Sequence, residues 1–129
     1  MLTQIRTFPG NALALELTET FTEADASLIK QLFEEKLTAG HQHINLLIKV
    51  KDLSVMKHMN LKAFLESETW GFKHFGKIGR CAVVSHSDFI KSVVKIENKL
   101  LHLANAAFEE KYFDTAELEQ ALDFVGGDE

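Results

Sequence analysis

The chain has 129 residues, of which 46% are hydrophobic and 26% charged, a composition that excludes a disordered chain and suits one globular domain. The formal net charge of −5 argues against a nucleic-acid partner, because nucleic-acid binders usually carry a basic surface. No apolar run reaches the roughly 18 residues of a membrane span, and a single Cys81 excludes an internal disulfide, so we expect one cytoplasmic domain over residues 1–129.

The first two predicted elements are strands at about 3–8 and 12–18, paired as a hairpin. Pro9 and Gly10 lie between them and are typical of a type II turn, in which the glycine takes a positive φ. Alternation predicts two faces for the second strand, with Leu13, Leu15 and Leu17 on one face and Ala12, Ala14 and Glu16 on the other.

The next element is a helix that begins after Thr22. Thr22 and Asp25 have the spacing of a reciprocal capping box, and Gly40 stands where a left-handed residue ends a helix. An apolar stripe repeats at helical spacing between these two ends: Leu28, Ile29, Leu32, Phe33 and Leu37.

Two short apolar runs, at 43–50 and 80–84, are predicted to be central strands with both faces covered. A helix capped by Ser87 follows the second run, because its apolar residues keep the 3.6-residue period: Phe89, Ile90, Val93, Val94, Leu100 and Leu101, with Glu97 in the same series.

The last two predicted elements are a charged edge strand at 108–113 and a helix capped by Asp114. Glu117 is the capping-box partner of Asp114. Leu118, Ala121, Leu122 and Val125 form the apolar stripe of that helix. With a further helix at about 58–75, the order predicts an α/β domain with a mixed, mostly parallel five-stranded sheet and about four helices.

Four stretches of the chain resemble the SpoIIAA-like family, whose members share the fold of STAS domains: "LALELTETFTEAD", "INLLIKVKDL", "FKHFGKIGRCAVVSHSDF" and "KYFDTAELEQAL". The resemblance spans nearly the whole chain and implies a STAS-like fold. STAS regulators carry a serine-containing switch loop after the central strand, and the matching stretch here is "KDLSVMKHMN". Ser54 lacks a neighbouring glycine and is followed by bulky methionines, so we expect a turn or cap residue there rather than a phosphorylation site.

The segment 56–75 carries apolar residues on two sides of its predicted helix. Leu61, Phe64, Leu65, Phe72 and Phe75 form an arc that can pack on the sheet, whereas Met56, Met59, Ala63 and Trp70 fall near the opposite side. The second arc would contact a second chain as a homodimer, contact a membrane peripherally, or line a pocket. Alternatively, Gly71 breaks the helix and Trp70 turns into the core.

Glu68 falls within the sheet-facing arc, where a carboxylate is costly to bury without a partner. It would anchor the polar end of a ligand with a raised pKa, or it would pair structurally or reach solvent. Lys73, His74 and Arg80 are its nearest candidate partners in the sequence.

Other polar candidates carry less weight. His41 and His43 share a strand face, but no acid or cysteine accompanies them at metal-ligand spacing, so we expect no metal and no other cofactor. Cys81 lies in an apolar strand and is expected to be an inert core residue. Ser87 lies where a strand meets a helix, which favours an N-cap over a ligand contact.

Two hypotheses about function follow. The first is a non-enzymatic module that holds an apolar or lipid-like molecule between the helix at about 58–75 and the sheet, as related folds such as CRAL-TRIO domains do. Its predicted contact residues are Met56, Met59, Phe64, Glu68, Trp70, Phe72 and Phe75. The alternative is a STAS-type protein-interaction module that acts through Met56, Met59 and Trp70. We expect no enzyme, because no nucleophile, base and orienting residue are assembled.

Overall fold

The structure, a computed structural model, describes residues 2–18, 22–50, 75–104 and 108–126. The strands are β1 (Leu2–Thr7), β2 (Ala12–Leu17), β3 (Ile44–Val50), β4 (Ile78–Ser85) and β5 (Glu109–Asp114). The helices are α1 (Glu23–Thr38), α2 (Asp88–Ala104) and α3 (Leu118–Gly126), with short 3-10 turns at Phe75–Lys77 and Thr115–Glu117. The predicted helix at about 58–75 lies outside the described residues.

The strands lie in the sheet in the order in which they occur along the chain, β1 to β5. β1 pairs with β2 in the antiparallel direction, whereas β2, β3, β4 and β5 are parallel. This confirms the predicted mixed, mostly parallel sheet and places the charged strand β5 at an edge. The carboxyl ends of four neighbouring strands therefore meet along one edge of the sheet, where α/β folds gather polar side chains.

The two faces of the sheet bury different side chains, as the alternation in β2 predicts. On one face, α1 packs Ile29 and Phe33 against leucines and isoleucines of β2 and β3. α2 covers the same face farther along, where Ile90 and Val94 contact Val83. On the opposite face, three residues of α3 pack against the strands: Ala121, Leu122 and Val125. The strand residues of this buried cluster are Ala12, Ala14, Leu47, Ala82, Val84 and Phe113. The small alanines of that face allow the short α3 to approach the strands closely.

The start of α1 is capped as predicted, and the same cap holds β1. The Thr22 hydroxyl accepts a hydrogen bond from the Asp25 amide, and Asp25 Oδ2 accepts one from the Thr22 amide at 2.9 Å. Asp25 Oδ1 accepts a further bond from the Leu2 amide at 3.0 Å. Burial alone would raise the pKa of Asp25, but the hydrogen bonds from Thr22 and Leu2 outweigh it and lower the pKa below its usual value.

The turn between β1 and β2 differs from the prediction. Gly40 has a φ of 101° and ends α1 as expected, but among the described glycines no other φ is positive. The type II turn at Pro9 and Gly10 is therefore wrong. The ammonium group of Lys36 in α1 accounts for the difference, because it donates hydrogen bonds to the Phe8 and Gly10 carbonyl oxygens and so holds the loop against α1.

A buried amide joins β3, β4 and α3 at the amino end of the sheet. Asn45 is 5% exposed; its Nδ2 donates to the Val125 carbonyl at 2.8 Å, and its Oδ1 accepts from the Arg80 amide at 2.8 Å. The Arg80 guanidinium donates to the Phe124 carbonyl at 3.1 Å. These bonds satisfy carbonyl groups in the last turn of α3, which have no partner within the helix. They fix α3 against the sheet and mark the amino edge as structural.

Candidate functional site

Most of the predicted ligand-contact residues lie in a part of the chain that the structure does not describe. The following lie outside the described residues: Met56, Met59, Phe64, Glu68, Trp70 and Phe72. Phe75 begins the 3-10 turn Phe75–Lys77, and only the backbone of this residue is described. Ser54 also lies outside the described residues, so its expected role as a turn or cap residue stays a prediction.

Polar residues collect instead at the carboxyl edge of the sheet, where β4 ends at Ser85 beside Asp114 of β5. An open pocket of about 470 Å³ lies there. Its lining is almost entirely polar: His86, Ser87, Asp88, Lys91, Tyr112, Asp114 and Glu117. Most of the lining residues come from two turns, one between β4 and α2 and one between β5 and α3.

Tyr112 fixes the turn from β4 into α2. Its hydroxyl donates to the Ser85 carbonyl at 2.9 Å and accepts from the Ser87 amide, also at 2.9 Å. The Ser87 hydroxyl in turn accepts from the Ile90 amide at 3.2 Å. This confirms the predicted N-cap at Ser87, and it commits both hydroxyl groups of the pocket to holding the backbone.

His86 and Asp114 connect the two turns. His86 Nδ1 lies 2.8 Å from Asp114 Oδ2, while Asp114 Oδ1 accepts from the Ala116 amide at 3.1 Å. The Asp114 amide donates to Glu117 Oε1 at 2.9 Å, which confirms the predicted capping box. The hydrogen bond to Asp114, and then the charge of Asp114, raise the pKa of His86. The bond from the Ala116 amide, followed by that from His86, lowers the pKa of Asp114.

This pair resembles part of a catalytic triad, but its surroundings do not complete one. A carboxylate that holds an imidazole can prepare it as a base, and the His86 side chain is 84% exposed. The hydroxyls of Ser87 and Tyr112 are already engaged with backbone groups. Within the described residues we therefore find a hydrogen-bonded clamp and no activated nucleophile.

The other candidates are structural where the chain is described. Cys81 is fully buried in the middle of the sheet, opposite Leu46, which confirms the predicted core thiol. Within residues 2–18, 22–50, 75–104 and 108–126, no group of three or more histidine, cysteine or acidic side chains could hold a metal ion. Arg80 contributes to the cap of α3, whereas Glu68, its candidate partner in the sequence, lies outside the described residues.

Comparison with known proteins adds the family. A SpoIIAA-like family model matches residues 12–126 of the chain. The chain belongs to the SpoIIAA-like family. The resemblance seen in the four sequence stretches is thereby confirmed. The SpoIIAA-like assignment, with its STAS-type fold, indicates a non-enzymatic module. No curated protein is similar enough in sequence to count as a relative.

A solved structure shares the SpoIIAA-like fold. It is the crystal structure of an uncharacterized protein of the DUF3478 family, with a SpoIIAA-like fold, from Shewanella loihica PV-4. The TM-score is 0.61, the sequence identity is 19%, and the likeness covers 97% of this chain and 92% of the other. At this identity the likeness establishes the fold alone.

None of the described helices combines the length and the apolar content that a membrane span requires. In the described parts of the chain, the sequence signals for caps predicted three of the seven residues that line the pocket, namely Ser87, Asp114 and Glu117. They did not predict His86 or Tyr112 there, because their partners are about 27 residues away in the chain and carry no local signature.

Proposed function

We propose that this SpoIIAA-like chain is a non-enzymatic binding module, which holds an apolar or lipid-like small molecule between residues 58–75 and the sheet. The observation that carries the proposal is the sheet face formed by β3 and β4, two strands that 27 residues of the chain connect, from Val50 to Ile78. That face is formed by side chains that cannot hydrogen-bond or do so weakly: Leu46, Ile48, Val50, Cys81 and Val83.

The connection between β3 and β4 supports the proposal because of its direction. The two strands are parallel neighbours, so the chain between them has to return from the carboxyl edge to the amino edge of the sheet. Such connections are almost always right-handed, so we propose that this one passes over the face that α1 and α2 cover. This connection contains both apolar arcs of the segment 56–75. The aliphatic face of β3 and β4 can contact only one of the two arcs.

The predicted contact residues would provide an apolar environment for most of the ligand and a polar one for its end. Phe64, Phe72 and Phe75 of one arc and Met56, Met59 and Trp70 of the other would enclose an apolar body. Glu68 would hold its polar end. Peripheral contact of this segment with a membrane is the route by which such a ligand would enter.

Trp70 provides the test, because it is the single tryptophan of the chain. A fatty acid that carries a nitroxide label on its acyl chain quenches tryptophan emission only at short range. We expect saturable quenching at a ratio near one ligand per chain. Met59→Gln keeps the length of the side chain but adds a polar amide, so it should weaken uptake severalfold, whereas Asn60→Gln serves as the matched control. Unsaturable quenching that is equal in both variants would remove the proposal.

The second candidate function is a STAS-type protein-interaction module, and the family match favours it. In that case Met56, Met59 and Trp70 would contact a protein, for example a second copy in a homodimer. Trp70 emission would then shift on dilution and not on addition of lipid, and Trp70→Ala would yield monomers in light scattering. This pattern separates the two functions in one set of samples.

A further inference from the structure

Ser85, the last residue of β4, carries a buried hydroxyl group. The residue is 1% exposed, and among the described residues Ser85 Oγ has no hydrogen-bond partner. Asp25 and Asn45 are buried polar residues as well, and their side chains bond to backbone groups. A buried hydroxyl without a partner has lost its bonds to water and gained none in return, so such groups are rare in native folds. The hydroxyl of Ser85 is therefore available to a bound molecule.

The side chain of Ser85 lies on the face of the sheet that the proposed ligand would occupy. Side chains alternate along a strand, so Ser85 shares a face with Cys81 and Val83. These two residues belong to the core clusters of α1 and α2, whereas Val84 belongs to the cluster of α3 on the opposite face. Ser85 thus stands at the carboxyl end of the aliphatic face of β3 and β4.

The strands beside β4 give Ser85 an apolar neighbour on one side and a committed hydroxyl on the other. Lys49 of β3 pairs with Val84, and continuing this register by one residue places Val50 next to Ser85. On the side of β5, the Tyr112 hydroxyl already donates to the Ser85 carbonyl and accepts from an amide of the following turn. Ser85 Oγ is left as a donor at the end of an aliphatic surface.

The two helices on this face lie on either side of β4. α1 contacts β3, and α2 contacts β5. Near its start, α2 packs on Val83 through Ile90 and Val94. Leu100, which the sequence period placed in the same apolar series, is 50% exposed, so the series does not stay on the sheet to the end of α2. The carboxyl end of β4 therefore lies between the two helices, on the face where we place the ligand.

We infer that Ser85 determines which ligand the proposed module accepts, because its hydroxyl donates a hydrogen bond to an oxygen atom at the polar end of the bound molecule. This inference rests on the proposed function and narrows it to fatty acids and other acyl lipids, which join an apolar chain to a carbonyl oxygen. The polar end then lies at the carboxyl edge of the sheet, and the chain extends from there along Val83 and Cys81. A carboxyl group has two oxygen atoms, so this contact is additional to the one proposed for Glu68.

The test compares two nitroxide-labelled probes, a fatty acid and an alkane of the same chain length, by their quenching of Trp70. Ser85→Ala should weaken uptake of the acid roughly fivefold, because one hydrogen bond is lost, and should leave uptake of the alkane unchanged. Ser92→Ala is the matched control, since it removes a hydroxyl group from the exposed side of α2 and should change neither affinity.

The possible results separate this inference from the proposed function. Saturable uptake of the acid with equal affinity in the wild type and in Ser85→Ala overturns the inference and leaves the proposed function standing. An equal loss of affinity for both probes also overturns it, because the variant would then have disturbed the aliphatic face. Absence of saturable uptake by the wild type overturns both.

Unfolding experiments distinguish a ligand contact from a bond within the fold. In protein freed of lipid, Ser85→Ala removes a buried hydroxyl without a partner, so the urea midpoint should stay the same or rise. Ser87→Ala is the comparison, because the Ser87 hydroxyl caps α2 and its loss should lower the midpoint. A midpoint that falls equally in both variants would contradict the inference.

Amide NMR spectra test the orientation of the bound molecule. A nitroxide broadens amide signals steeply with proximity. A fatty acid labelled near its carboxyl group should therefore broaden the Val84 and Ser85 amides more than one labelled near its methyl end. The opposite order would place the polar end away from Ser85 and overturn the inference.

Discussion

His86 Nδ1 and Asp114 Oδ2 lie 2.8 Å apart and join the turn after β4 to the turn after β5. The hydrogen bond and charge of Asp114 raise the pKa of His86 in the folded chain. The group therefore contributes stability at pH values below the unfolded pKa of about 6.5, and this contribution is lost as the pH rises through the higher folded pKa.

Asp114→Asn should lower the pKa of His86 toward its ordinary value, because the amide offers no negative charge. An NMR titration of the histidine ring protons measures this shift directly. An unchanged His86 curve in the variant would show that the pair does not form in solution.

Asp25→Asn should destabilise the domain by about 1–3 kcal/mol, because the buried side chain exchanges an acceptor oxygen for an amide donor facing backbone N–H groups. The pKa of Asp25 is lowered in the folded state, so its contribution is present above the unfolded pKa of about 3.9 and is lost as the pH falls through the lower folded value. Urea unfolding at neutral and acidic pH measures both effects. Asp123→Asn, at an exposed site on α3, is the control and should change stability by less than about 0.5 kcal/mol.

Gly79→Ala should destabilise the domain by about 1–3 kcal/mol, because its Cβ would lie 2.6 Å from Asn45 Oδ1. Asn45 cannot move aside without breaking its bonds to Arg80 and Val125. Gly76→Ala is the matched control, since nothing lies within 4 Å of the Cβ that it would add.

The steric origin of that effect can be isolated in a double-mutant cycle. In an Asn45→Ala background, most of the additional cost of Gly79→Ala should disappear, because the clashing oxygen is absent. Thermal or urea unfolding of the four proteins supplies the coupling energy. Fully additive costs would contradict the close approach of Gly79 to Asn45.

Tyr112→Phe should cost about 1–3 kcal/mol, because the Ser87 amide loses its acceptor and the Ser85 carbonyl loses a donor. Hydrogen exchange offers a local readout. The Ser87 amide should exchange faster in the variant, while amides in the centre of β3 should change only as far as global stability changes. Equal protection of Ser87 in both proteins would show that Tyr112 does not hold this turn.

The predictable parts of the fold are those that neighbouring residues encode. The capping boxes at Thr22 and Asp114 and the alternating faces of β2 depend on spacings of two or three residues, and each was confirmed. The Pro9–Gly10 turn was wrong because a distant group, the Lys36 ammonium, organises the loop.

The unpredicted parts join residues that are far apart in the chain. Asn45 and Val125 are 80 residues apart, and His86 and Asp114 are 28 apart, so no local pattern announces either contact. The exposure of Leu103 was also not predictable, since the period that places apolar residues on a helix does not say which of them the sheet reaches.

The central claim is that an apolar or lipid-like molecule lies against the aliphatic face of β3 and β4. Native mass spectrometry of the protein as purified from cells, followed by organic extraction, tests it most directly. The account predicts a population heavier than the bare chain by the mass of one small apolar molecule, which collisional activation releases and extraction recovers. A chain that is always bare, and that takes up no added fatty acid, would contradict the account.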